Sequence, residues 1–116
     1  MLKDGQVCDW NSCEPNFIRT KLPRSAVATT KDGKILLITV DGRFPEQAGG
    51  VNIPELAHLI RVLGGEDALN LDGGGSTTLW LSGASDNGVV NYPCDNGRFD
   101  HAGERKVPNI LYITHQ

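Results

Sequence analysis

Residues 70–80 read NLDGGGSTTLW: a carboxylate, Asp72, ends an apolar run, and Gly73, Gly74, Gly75 and the hydroxyl of Ser76 follow. Each glycine costs folding entropy, so three in a row need a physical reason. Both flanks are apolar and strand-like, which excludes a flexible linker and makes DGGGS a tight turn between two buried elements. Such a turn lets backbone N–H groups converge on an anion or a crowded oxygen. It also removes the Cβ atoms that would block a ligand. The familiar nucleotide loops do not fit: there is no G-x-x-x-x-G-K-[ST] lysine and no G-x-G-x-x-G leading into a helix. A G-x-S-x-G nucleophile elbow is absent too. A glycine-rich hairpin corner without a ligand is the purely structural alternative.

Other charges fall where sites usually lie, at strand ends and in loops. Arg24 opens the first strand, Asp41 and Arg43 flank the end of the second, and Asp95 and Arg105 lie in the last long loop. Taken singly, each reads as a solvated surface charge. As a set they offer planar guanidinium forks suited to phosphate or carboxylate. Carboxylates beside them suit acid–base or oxocarbenium chemistry. His58, His101 and His115 read as surface residues. Trp80 and Tyr92 read as sheet packing rather than as sugar platforms, though Tyr92, beside Pro93, suits either.

The elements that must hold these groups show in the hydrophobic pattern. SAVATT and KILLITVDG are β-prone runs separated by Lys31, Asp32 and Gly33, a good hairpin turn. NIPELAHLIRVLGG is the one convincing helix, with Asn52 and Glu55 forming a capping-box pair and Pro54 in the first turn. Leu56, Leu59, Ile60 and Leu63 fall on one helical face, and Gly64 and Gly65 end it. DALNL and STTLWLSG read as strands, GVVNYP pairs with the latter across ASDNG, and PNILYITH closes the sheet. The expected class is α+β: a mostly antiparallel sheet with one main helix on one face, in the order β-β-α-β-β-β-β. Residues 1–23 read as an irregular or edge segment, and residues 24–116 as the domain proper.

With 116 residues the chain is one domain at most. A net charge of −3 provides no basic footprint for nucleic acid. No apolar run approaches the roughly 18 residues of a membrane span, and the N-terminus lacks the apolar run of a signal peptide. Cys8 and Cys13 could bridge locally, leaving Cys94 without a partner in the chain. No C-x-x-C or His-x-x-x-His pair supports a zinc site, and nothing in the sequence requires a cofactor or metal.

The stretches RSAVATTKDGKILLITVDGR, GGVNIPELAHLIRVLGGEDALNLDGGGSTTLWLSG, VVNYPCDN and ERKVPNILYI together resemble the phosphodiester glycosidase domain, the family of the lysosomal-enzyme uncovering enzyme and its bacterial relatives. The resemblance covers roughly residues 24–114 and implies hydrolysis of a sugar-1-phosphodiester, with a GlcNAc-like sugar and a phosphomonoester as products. By matching motifs it implies Arg24 as a phosphate ligand and Asp72 as the first choice for the catalytic carboxylate. Asp41 and Asp95 are further acidic candidates. Gly73, Gly74, Gly75 and Ser76 would line the pocket, with Arg43 and Arg105 binding substrate. Family domains extend further on the N-terminal side, so the chain is expected to be a C-terminal portion, with an upstream half or a second copy covering an exposed sheet. An extracytoplasmic location follows from the same resemblance. A non-catalytic carbohydrate- or phosphate-binding module, a structural envelope domain, or an incomplete fragment of the enzyme is the alternative.

Overall fold

Five strands and two helices form in the computed structural model, which describes residues 1–10, 13–84 and 86–114. The order is β1 (Leu2–Lys3), β2 (Gln6–Val7), α1 (Pro15–Arg19), β3 (Arg24–Thr30), β4 (Ile35–Val40), α2 (Ile53–Val62) and β5 (Gly65–Asn70), then a 3₁₀ turn at Gly74–Ser76. The strands make one sheet in the order β2-β1-β5-β3-β4, and every pairing is antiparallel. The protein is therefore α+β, one sheet with one main helix.

The β3–β4 hairpin closes as its sequence requires. Gly33 takes φ 87°, which favours glycine, and Thr30 N donates to Lys34 O at 2.9 Å. Register places Ala26 opposite Ile38 and Asn70, and Ala28 opposite Leu36 and Ala68. Alternation thus turns Ala26, Ala28, Ala68 and Leu2 to one face, where they pack with Leu56, Ala57 and Ile60 of α2. Small alanines let the helix lie close to the sheet. A Cβ on Gly65 would collide with Ile60.

Both reciprocal bonds of the α2 capping box are present: Glu55 N donates to Asn52 Oδ1 at 2.9 Å, and Asn52 N to Glu55 Oε1 at 3.0 Å. The buried stripe of α2 is Ile53, Leu56, Ala57 and Ile60. Leu59 and Leu63, expected to share it, are exposed. The stripe is rotated by the need to present Ala57 to the alanine face.

Residues 1–23 supply an edge hairpin, with Leu2 opposite Ala68, and the short helix α1. Cys8, Cys13 and Cys94 are free thiols, so the local bridge between Cys8 and Cys13 is not made.

The three segments read as later strands form no ladder. STTLWLSG begins in the 3₁₀ turn and meets GVVNYP in a single bridge, Trp80 to Val89. The side chain of Asn91 takes the place of ladder partners, accepting from Leu79 N at 2.8 Å and donating to Thr77 O at 3.0 Å. Residues 107–114 form no regular element, with Ile110, Leu111, Tyr112 and Ile113 exposed. A strand needs a neighbouring edge, and this segment pairs with none of the five described strands. The sheet face opposite α2 is also open, with Leu69 64% and Ile35 58% accessible. His115 lies outside the described residues.

Candidate functional site

Beyond β5, Leu71 N donates to Ser25 O at 2.8 Å, and the chain then turns through the three glycines. Each has its own steric reason. A Cβ on Gly73 would stand 2.8 Å from Pro23 O, so backbone fills that side. Gly74 takes φ 61° and donates its N–H to Pro23 O at 2.9 Å, and a Cβ there would press on Arg43 Nη2 at 3.4 Å. A Cβ on the buried Gly75 would fall on the Arg105 guanidinium, 2.6 Å from Cζ and 3.0 Å from Asp95 Oδ1. The missing side chains thus seat two arginines against the turn. The Gly74 amide is spent on Pro23, so the turn works more by removing Cβ atoms than as a nest of three free N–H donors.

Asp95 fixes the second arginine: its Oδ1 accepts from Arg105 Nε at 3.1 Å and Nη2 at 2.6 Å. That hydrogen bond holds the Asp95 carboxyl below its ordinary pKa, with Arg43 adding a further electrostatic pull in the same direction. The same bond raises Arg105, helped electrostatically by Asp95, Cys94 and Asp72. Arg43 occupies the left-handed region at φ 62°, uncommon for a residue with a side chain. Its Nη1 lies 3.7 Å from Cys94 Sγ. Asp72 is exposed beside the turn, and the described residues give it no hydrogen-bond partner. Ser76 is half-buried, its N–H donating to Gly73 O at 3.2 Å. The fold therefore gathers Arg43, Asp72, Asp95 and Arg105 around Gly73, Gly74 and Gly75. An arginine pair beside an unclaimed carboxylate can hold an anionic group while the carboxylate acts on what is attached to it.

Two expected site residues sit elsewhere. Asp41 is half-buried, and its Oδ1 accepts from Asn91 Nδ2 and Tyr92 N, both at 3.1 Å. It anchors the loop that carries Cys94 and Asp95. Arg24 is 1% accessible. Its Nε donates to Val51 O at 3.1 Å, and its Nη2 to Phe17 O at 2.7 Å and Thr20 O at 2.8 Å. The Phe17 ring lies 4.7 Å from Cζ. Burial pushes the Arg24 pKa down from its ordinary value. This guanidinium joins α1, β3 and the loop before α2, and does not face the glycine turn.

Sequence reasoning missed three features. Asn91 is buried and ties Asp41 to residues 77 and 79. Cys94 stands against Arg43. His101, read as a surface residue, is half-buried: it stacks on Tyr92 at 4.4 Å, and its Nδ1 lies 2.7 Å from Asn91 O. Phe99 stacks at 4.0 Å on Tyr92, and Phe44 meets Phe99 edge-on. The Tyr92–Pro93 step was a visible signal, but its partners are distant in sequence. Among the described residues no group of His, Cys, Asp or Glu is placed to hold a metal ion.

Residues 1–114 match the phosphodiester glycosidase family, and the chain belongs to it. It is 34% identical over 80 residues to the mouse N-acetylglucosamine-1-phosphodiester alpha-N-acetylglucosaminidase and 31% to the human one, in each case 69% of this chain. The match covers 14% of each relative, so the chain spans a small part of their length. Among solved structures, the zebrafish N-acetylglucosamine-1-phosphodiester alpha-N-acetylglucosaminidase catalytic domain, auto-inhibited by its pro-peptide, superposes with TM-score 0.61 at 27% identity. That match covers 79% of this chain and 32% of the zebrafish one. A Burkholderia pseudomallei protein described as exported superposes with TM-score 0.60 at 37% identity, over 70% of this chain and 15% of that one. No helix among the described residues is long and apolar enough to cross a membrane.

Proposed function

We propose that this chain carries the catalytic corner of a hydrolase acting on sugar-1-phosphodiesters. The observation that carries the reading is the seating of Arg43 and Arg105 on the glycine turn with Asp72 open beside them. Arg43 and Arg105 would take the phosphodiester oxygens, Arg105 through the donors that Asp95 leaves unused. Phosphate is already a good leaving group, so charge stabilisation matters more than strong general-acid help. Water attacks the anomeric carbon, the C1–O bond breaks, and its electron pair leaves on the phosphomonoester. Asp72 orients that water and takes its proton, or stabilises the sugar cation. Asp95 acts through Arg105, and Asp41 through the loop it anchors. The names of the mouse and human relatives support N-acetylglucosamine as the sugar, and the exported neighbour supports an extracytoplasmic site.

A second reading rests on the small share of the relatives that the chain spans: a fragment that binds glycan or phosphate but needs more polypeptide for turnover. The open sheet face and the apolar residues 110–113 support an upstream half or a second copy as the cover. The test is release of free sugar from UDP-GlcNAc or a GlcNAc-1-phospho-glycan, with Asp72→Asn as the control. Loss of a carboxylate of this kind lowers turnover by about 10²–10⁴-fold. No turnover on a broad sugar-phosphodiester panel would overturn the enzymatic reading. Saturable binding that survives Asp72→Asn would then support the module.

A further inference from the structure

Trp80 was expected to pack in the sheet, but it is 60% accessible. Its one polar atom is satisfied: Nε1 donates to Asn87 O at 3.0 Å. Beneath the ring lies Gly88, at φ 83°, where a Cβ would fall on the pyrrole portion, 2.5 Å from Cε2 and 2.7 Å from Cδ1. Glycine is therefore required at 88 twice over, by its dihedral and by the indole laid on it. The Leu81 N to Gly88 O and Val90 N to Leu79 O bonds, each 2.8 Å, fix the two segments that carry the ring. Asn87 then donates from Nδ2 to His101 O at 2.8 Å, and His101 packs on Tyr92. A large ring with one side seated and its surface largely open loses little conformational entropy on binding.

From this geometry we infer that Trp80 is a carbohydrate-stacking platform, binding the C–H face of a glycan ring. The indole N–H is already committed, so recognition is by the ring face. Asn87, His101 and Asn91 link the platform to Asp41 by hydrogen bonds. The choice of a GlcNAc-type glycan rests on the proposed function; the stacking itself does not.

The test is titration of the full chain with chitotetraose, which carries no phosphate, by calorimetry and tryptophan fluorescence. Saturable binding is expected, weakened about tenfold or more by Trp80→Ala. Gly88→Ala should weaken it similarly although the tryptophan remains, and Trp10→Phe, which leaves Trp80 as the sole indole, should bind normally with a fluorescence change. Absence of binding by the parent chain, or affinity unchanged in a folded Trp80→Ala variant, overturns the platform. If Trp80→Ala does not fold, an unchanged Trp80 signal in Trp10→Phe overturns it instead. Turnover of sugar phosphodiesters without chitotetraose binding leaves the catalytic reading standing and removes this one. Binding that persists in Asp72→Asn, with no turnover by any form, supports this one and removes the other.

Discussion

Asp95 and Arg105 meet directly over Gly75, one carboxylate oxygen receiving both Nε at 3.1 Å and Nη2 at 2.6 Å of the guanidinium. The ion pair occupies the space where a residue-75 side chain would stand. The third glycine of the turn is thus a condition for the pair.

Gly75→Ala is accordingly expected to evict Arg105 from the turn. The atoms the new methyl meets are the ends of two partly exposed side chains that can move aside, so the urea midpoint should fall little. The same variant should lose sugar-phosphodiester binding more than Gly73→Ala loses it, because Gly73 abuts Pro23 O rather than an arginine. Equal binding losses in the two variants would contradict the seating of Arg105.

The pair also sets an acid-side dependence. The hydrogen bond from Arg105 lowers the Asp95 pKa in the folded state. Its stabilisation is therefore present above the unfolded carboxyl value of about 3.9 and is lost as pH falls through the lower folded value. The Tm difference between parent and Asp95→Asn should be constant from about pH 7 to 5 and shrink below about pH 4. Asp32, Glu55, Asp67 and Asp100 are lowered as well, so the subtraction isolates Asp95. A difference that grows on acidification would contradict the pairing.

Local chemistry was the legible part of this chain. The β3–β4 turn at Gly33, the Asn52–Glu55 box and the glycine turn were readable because each depends on residues within a few positions. The arginines that occupy the turn lie about 30 residues away on either side, so Arg43 and Arg105 showed as candidates without a geometry. An arginine at a strand start looks the same in sequence whether it meets phosphate or backbone carbonyls, and in the fold the Arg24 guanidinium meets carbonyls of Phe17 and Thr20 just upstream and of the more distant Val51. STTLWLSG has strand composition, yet Asn91 replaces its ladder from 12 or more residues away. Alternation reports a half-buried surface and cannot say which neighbour supplies the hydrogen bonds.

The capping box gives a control remote from the site. Asn52→Ala removes the acceptor for Glu55 N and should cost about 1 kcal/mol of stability. Sugar-phosphodiester affinity should stay unchanged, since α2 meets the sheet through Leu56, Ala57 and Ile60 rather than through the glycine turn.

Arg24 separates a structural from a ligand role. Its removal takes a donor from the carbonyls of Phe17, Thr20 and Val51, of which Val51 O keeps Leu22 N, and leaves Phe17 without its cation. Phe17 and Thr20 are exposed residues where water can replace the guanidinium, so Arg24→Ala should lose about 1–3 kcal/mol in denaturant titration, chiefly from the emptied buried position. Arg24→Lys should recover little, because an ammonium cannot reproduce a fork that spans carbonyls from two sides. A phosphate ligand would behave differently: lysine would retain charge at the anion, leaving stability intact and weakening binding modestly. A folded Arg24→Lys protein with parental stability and weakened phosphodiester binding would return Arg24 to the site.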